Sequence, residues 1–116
     1  MNAARTATYI SVCRLDDIDP ETGVTALVRG EVVAVFRTHD DRVFALSNYD
    51  PYGHASVLAR GIVGTRGDVP FVASPLLKQA FSLETGRCLD DPSVAVATYE
   101  VDVVEGEIRV GVAVAL

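Results

Sequence analysis

Residues 99–112 read YEVDVVEGEIRVGV, and their alternation decides the fold class. Tyr99, Val101 and Val103 fall on one face of an extended chain, Glu105-Gly106 turns it, and Ile108, Val110 and Val112 fall on one face of the next stretch. That is a period of two, suited to a strand with one buried face and useless to a helix. Towards the N-terminus, 8–13 (TYISVC), 24–28 (VTALV), 31–36 (EVVAVF) and 42–46 (RVFAL) are short and rich in β-branched and aromatic residues, as strands are. Arg29-Gly30 and Thr38-His39-Asp40-Asp41 separate them as hairpin turns. Leu15-Asp16-Asp17-Ile18 suits one helical turn, and no longer stretch carries a 3.6 period. The expected class is all-β, an antiparallel sandwich or a partly open barrel.

The middle of the chain differs from both ends. Pro51, Gly53, Gly61, Gly64, Gly67, Pro70, Pro75 and Gly86 interrupt it, so strands at 62–63, 69–73, 80–83 and 87–89 must be short. Residues 47–89 are expected to form a small loop-rich β subdomain, inserted between the strands of a larger sheet within one domain spanning 1–116. With 116 residues there is enough chain for one core and too little for two. A formal charge of −6 argues against a nucleic-acid partner, whose phosphates ask for the opposite sign. No apolar run approaches the ~18 residues of a membrane helix. The opening Met1-Asn2-Ala3-Ala4-Arg5-Thr6 lacks the apolar core of a signal peptide, so a cytoplasmic location is expected. Cys13 and Cys88 then read as two buried thiols, not a disulfide, and metal ligation is disfavoured because neither has a second Cys or a His at metal-ligand spacing.

Two stretches carry the functional information, 48–58 (NYDPYGHASVL) and 74–89 (SPLLKQAFSLETGRCL). Each is a proline-bearing loop followed by a short strand. Together they resemble the loop pair with which Rieske proteins hold a [2Fe–2S] cluster, one loop giving Cys-x-His and the other Cys-x-x-His. The resemblance places Asp50 and Ser74 at the thiolate positions, and Tyr52 and Leu77 at the imidazole positions. Phe81 and the Thr85-Gly86 turn into Arg87-Cys88-Leu89 are similar to the Phe and the Thr-Gly hairpin downstream of the second loop in that family. A carboxylate is a hard ligand, a serine hydroxyl a poor one, and a leucine none. A Rieske-like antiparallel β-sandwich without a cluster is therefore expected.

That departure is itself a resemblance. Asn48 to Pro51, Gly61 to Gly64, Ala73 to Pro75 and Thr85 to Pro92 are similar to strings in the small subunits of assimilatory NADH-dependent nitrite reductase. Membership would imply a non-redox accessory subunit with no cofactor or metal of its own. Its partner would be a large subunit holding FAD, an iron–sulfur cluster and sirohaem, which reduces nitrite to ammonium in nitrate assimilation. The alternative is a stand-alone Rieske-type [2Fe–2S] electron carrier, which would be coloured.

In cluster-bearing relatives the loop tips lie at the surface, so here Tyr52, Val57, Leu58, Leu76 and Leu77 are expected there. Tyr52, Leu76 and Leu77, rimmed by Arg60 and Lys78, are the expected contacts to the large subunit. From Leu58 to Arg87, Arg60, Arg66, Lys78 and Arg87 outnumber Asp68 and Glu84, which makes a weakly basic tip on an acidic protein. His39 and His54 read as solvated turn and loop residues. Gly61-x-x-Gly64-x-x-Gly67 lacks the lysine and the helix of a phosphate loop and reads as turns. Asp16, Asp17, Asp19 and Glu21 lack the spacing of a calcium loop.

Overall fold

A computed structural model describes residues 5–115, and the side chains of residues 8–112. The strands are β1 (Arg5–Arg14), β2 (Thr22–Val28), β3 (Glu31–Arg37), β4 (Val43–Ser47), β5 (Tyr49–Asp50), β6 (Ala55–Ser56), β7 (Ile62–Arg66), β8 (Val69–Ala73), β9 (Ala80–Ser82), β10 (Thr98–Tyr99), β11 (Val101–Val104) and β12 (Glu107–Ala115). Two 3-10 turns, Leu15–Asp17 and Leu58–Arg60, are the helical elements among the described residues. The strands form four sheets in the orders β1-β12-β11, β10-β4-β3-β2, β5-β6 and β7-β8-β9. Every pairing is antiparallel, as expected. The longest ribbon is β1 on β12, running from Arg5 opposite Ala115 to Arg14 opposite Glu107 with one register shift between Ser11 and Cys13.

The run EVVAVF looks continuous rather than alternating because β3 is buried on both faces. Val33 and Val35 meet Ile108 and Val110 of β12, with Ile18 closing one end of that layer. Ala34 and Phe36 point the other way, into a second layer with Leu46, Leu58, Val63, Val72, Phe81 and Leu83. All four β3 side chains are 0% exposed. The hydrophobic effect is worth roughly 1.5–3 kcal/mol for each large side chain so buried. The small sheet β7-β8-β9 therefore has no core of its own; it shares the second layer with β3 and β4.

Local expectations needed correction in three places. The stretch from Tyr99 to Val103 is not one strand. Tyr99 pairs with Ala45 in one sheet and Val101 with Val110 in another, and the chain changes sheets at Glu100, whose carbonyl accepts the Gly111 N–H at 2.7 Å. Residues 87–89 make only isolated bridges, Phe81 with Cys88 and Arg87 with Ala95. Of the three spaced glycines, Gly67 is a turn residue with φ +63° and Gly61 caps the Leu58–Arg60 turn, its N–H donating to the Leu58 carbonyl at 2.9 Å, whereas Gly64 lies within β7. Gly61 is small because β8 passes over it: a Cβ there would lie 2.3 Å from the Ala73 carbonyl oxygen.

Candidate functional site

The site is a pair of loops built on one plan. Asp50-Pro51-Tyr52-Gly53-His54 leaves β5, and Ser74-Pro75-Leu76-Leu77-Lys78 leaves β8. In each, the first residue's side-chain oxygen accepts a backbone N–H two residues on: Tyr52 N–H to Asp50 Oδ1 at 2.8 Å, and Leu76 N–H to Ser74 Oγ at 3.2 Å. Its carbonyl then accepts the N–H four residues on, from His54 at 2.8 Å and from Lys78 at 3.1 Å. The fifth residue closes the turn with a left-handed backbone, φ 55° at His54 and 67° at Lys78. Short polar side chains favour such turns, and proline at the second position presets φ.

The two loops join at their first residues. Ser74 Oγ donates to Asp50 Oδ2 at 2.5 Å. Asp50 is 0% and Ser74 2% exposed, so this pair answers polar groups that water cannot reach. Above it, Gly53 passes so close to the second loop that a Cβ would lie 2.5 Å from Leu76 Cδ1.

The expected tip residues divide. Leu76 and Leu77 are exposed, at 46% and 57%, as is Lys78, which follows them in the same loop, and Arg60 is exposed at the end of the Leu58–Arg60 turn. Leu58, expected at the tip, is instead 0% exposed and part of the second core layer. Val57 and Tyr52 are half-buried. Tyr52 packs its ring 6.1 Å from that of Phe81, and its hydroxyl lies 3.4 Å from Asp91 Oδ2 and 3.7 Å from Cys88 Sγ. The Cys88 contact, then burial, raises the Tyr52 pKa well above the ordinary tyrosine value. Sequence reasoning did not single out Asp91 or Tyr49, and it read Gly53 only as a loop breaker. Tyr49 is 46% exposed, with its hydroxyl 3.3 Å from His54 Nδ1, which extends the tip towards the first loop. Among the basic residues, Arg66 is paired with Asp90 at 3.2 Å, while Arg60, Lys78 and Arg87 make no ion pair among the described residues. A separate open cleft lies where β10 leaves β4, and its carboxylates are already engaged, Glu84 by Arg42 at 3.6 Å and Glu100 by Tyr9 at 2.9 Å.

This donor set does not fit a [2Fe–2S] cluster. The two thiolate positions hold oxygens bonded to one another, Tyr52 is committed to Cys88 and Asp91, and the aliphatic Leu77 faces solvent. The cysteines cannot stand in, because Cys13 packs on the first core layer and Cys88 belongs to the second.

The fold and the loop pair define the class. A family model for the Rieske-like [2Fe–2S] domain matches residues 8–111, which makes the chain a Rieske-like domain in spite of its altered ligand positions. The NADH nitrite reductase small subunit of Escherichia coli K12 is 48% identical over 99 residues, 84% of this chain and 92% of that one. A crystal structure from Mycobacterium tuberculosis, assigned as an NADH-dependent nitrite reductase small subunit, matches with a TM-score of 0.90 at 45% identity, covering 96% of this chain and 99% of that one. The chain belongs to the small-subunit family of NADH-dependent nitrite reductase. A nitrite reductase large subunit of Klebsiella oxytoca, named for NAD(P)H, also contains a stretch 40% identical to this chain over 101 residues, 87% of this chain and 10% of that one.

Proposed function

We propose that the chain is a non-redox accessory subunit that docks, through its loop tips, on the large subunit of a cytoplasmic NADH-dependent nitrite reductase. FAD, the iron–sulfur cluster and sirohaem belong to that large subunit, where nitrite is reduced to ammonium. The observation that carries this reading is the loop pair: Asp50 and Ser74 bond to each other where ligands would stand, while Leu76 and Leu77 remain uncovered. Two adjacent leucines, 46% and 57% exposed, forgo about half of the roughly 1.5–3 kcal/mol that full burial of each provides, which a partner surface would recover. Lys78, next to them in the loop, and the exposed Arg60 would favour an acidic counterpart. Tyr52 contributes from behind the tip rather than from its crest. The Klebsiella oxytoca chain, which carries a similar stretch within a large subunit, supports a one-to-one pairing of the two parts.

Leu77→Asp tests the docking surface. The variant keeps its thermal midpoint, since substitutions on an exposed loop usually change stability by under about 0.5 kcal/mol. It loses co-purification with the large subunit, with affinity reduced ten-fold or more in a titration. Unfolding, or unchanged affinity, would place the docking face elsewhere. The alternative of an electron carrier is tested by metal analysis and visible absorption of the purified chain, which should give neither stoichiometric iron nor colour. Near-stoichiometric iron with acid-labile sulfide would overturn the accessory reading.

A further inference from the structure

We infer that Asp50 and Ser74 are positioning residues, whose mutual hydrogen bond ties the two loops together and so sets the geometry of the Leu76–Leu77 tip. The tie stands without any partner; its consequence for docking rests on the function proposed above.

Each loop is closed internally by two hydrogen bonds to its own first residue. Those bonds shape a loop but cannot orient it against the other. Among the described residues, the side-chain hydrogen bond between the loops is Ser74 Oγ to Asp50 Oδ2. It completes one continuous chain of polar groups. Leu76 N–H donates to Ser74 Oγ, the Ser74 hydroxyl donates to Asp50 Oδ2, and Asp50 Oδ1 accepts Tyr52 N–H. The backbone that carries the exposed Leu76 is thereby linked, through two buried side chains, to the backbone of the opposite loop.

Burial makes the link hard to replace. With Asp50 at 0% and Ser74 at 2% exposure, solvent cannot supply a substitute partner when either is removed. In a cluster-bearing Rieske fold, metal–ligand bonds from both loops converge on one body and fix the loops to each other. Here that cross-linking falls to an oxygen–oxygen hydrogen bond, and the loops' internal turns are kept intact around it. Apolar packing alone could fill the same space. A directional bond also fixes the angle between the loops, and with it the placement of Leu76 against Gly53.

The test reads the coupling across the bond. Ser74→Ala and Asp50→Asn each remove or weaken the link from one side, and Ser74→Thr keeps the hydroxyl. Amide hydrogen exchange is followed at His54 and Lys78, whose N–H groups close the two loops, with Val35 and Val110 as core references. Ser74→Ala is expected to speed exchange ten-fold or more at His54, in the opposite loop, as well as at Lys78, with the core amides unchanged. Ser74→Thr restores the slow rates. Asp50→Asn reports the same coupling from the other side should Ser74→Ala not fold. Acceleration confined to the substituted loop, or spread evenly through the core, overturns the inference. Affinity for the large subunit is then measured for Ser74→Ala beside Leu77→Asp. A ten-fold loss in both supports the positioning role. Loss in Leu77→Asp alone overturns positioning and keeps docking. Unchanged binding in both, with the exchange coupling present, removes the docking surface and leaves the tie standing.

Discussion

Tyr52 occupies an imidazole position of the Rieske pattern, and its hydroxyl faces Asp91 and Cys88 within the domain. Replacing it by phenylalanine keeps the ring against Phe81 and removes the polar contact, which should lower the urea midpoint at neutral pH. The alkaline limb of stability follows from the same chemistry. Burial, then a hydrogen bond of 2.7 Å to Glu31, pushes the Tyr99 pKa up to about 12, and the Tyr52 pKa is raised as well. Both phenols hold their protons more firmly folded than unfolded. Their contribution is therefore complete below the ordinary value of about 10 and is lost as pH rises through the folded values. Burial raises the Cys13 thiol pKa too, so urea midpoints should be level between about pH 7 and pH 8, begin to fall near about pH 9 and fall further above about pH 10. The fall should be shallower in Tyr52→Phe. Asp50, Ser74 and Leu77 were legible in the sequence because a loop motif is linear. The inward turn of Tyr52 and the burial of Leu58 were not, because an irregular loop has no period to say which way a side chain points. Tyr52's partners lie 36 and 39 residues away, beyond the reach of any local pattern.

Strands were read most securely where alternation or a β-branched run was long, as in β1, β3 and β12. The division of 98–104 between two sheets escaped that reading, because period two survives a change of partner while the backbone pairing does not. Gly61 makes the same point for close approach. It does close the turn its sequence neighbours suggested, but the reason for its size is a carbonyl of β8, a contact no local pattern shows. Gly61→Ala would set a methyl 2.3 Å from that oxygen. Parting β7 from β8 is expected to cost about 1–3 kcal/mol, the usual scale for overpacking, and thermal denaturation measures it. The loop sheet shares its core layer with β3 and β4, so the loss should appear as one cooperative transition and not as separate melting of 47–89.

For the molecule as a whole, acid should weaken the fold through carboxylates held below their ordinary range. The Thr38 hydroxyl on Asp40, the Ser93 hydroxyl on Asp91 and the Arg109 guanidinium on Asp102 are the leading causes, and each favours the charged form. Stability from these groups is present above the ordinary carboxylate value of about 4 and is lost as pH falls through the lowered folded values. Urea midpoints at about pH 7, pH 4 and pH 2.5 should therefore decline at the last step most of all. Asp102→Asn should flatten that step, because its bidentate pairing with Arg109, at 2.8 and 2.6 Å, is gone from the start. The ribbon of β1 and β12 bears on assembly. Its two strands remain side by side out to Arg5 and Ala115, so the backbone enters and leaves this domain through neighbouring points. A domain of that form can be spliced into a longer polypeptide as a cassette, with both joints on one side and no strand disturbed. The spliced copy meets its neighbour at a local concentration on the order of millimolar for a short flexible joint, whatever its surface offers. A freely diffusing copy has no such help, and the strength of its interface alone determines how long it stays.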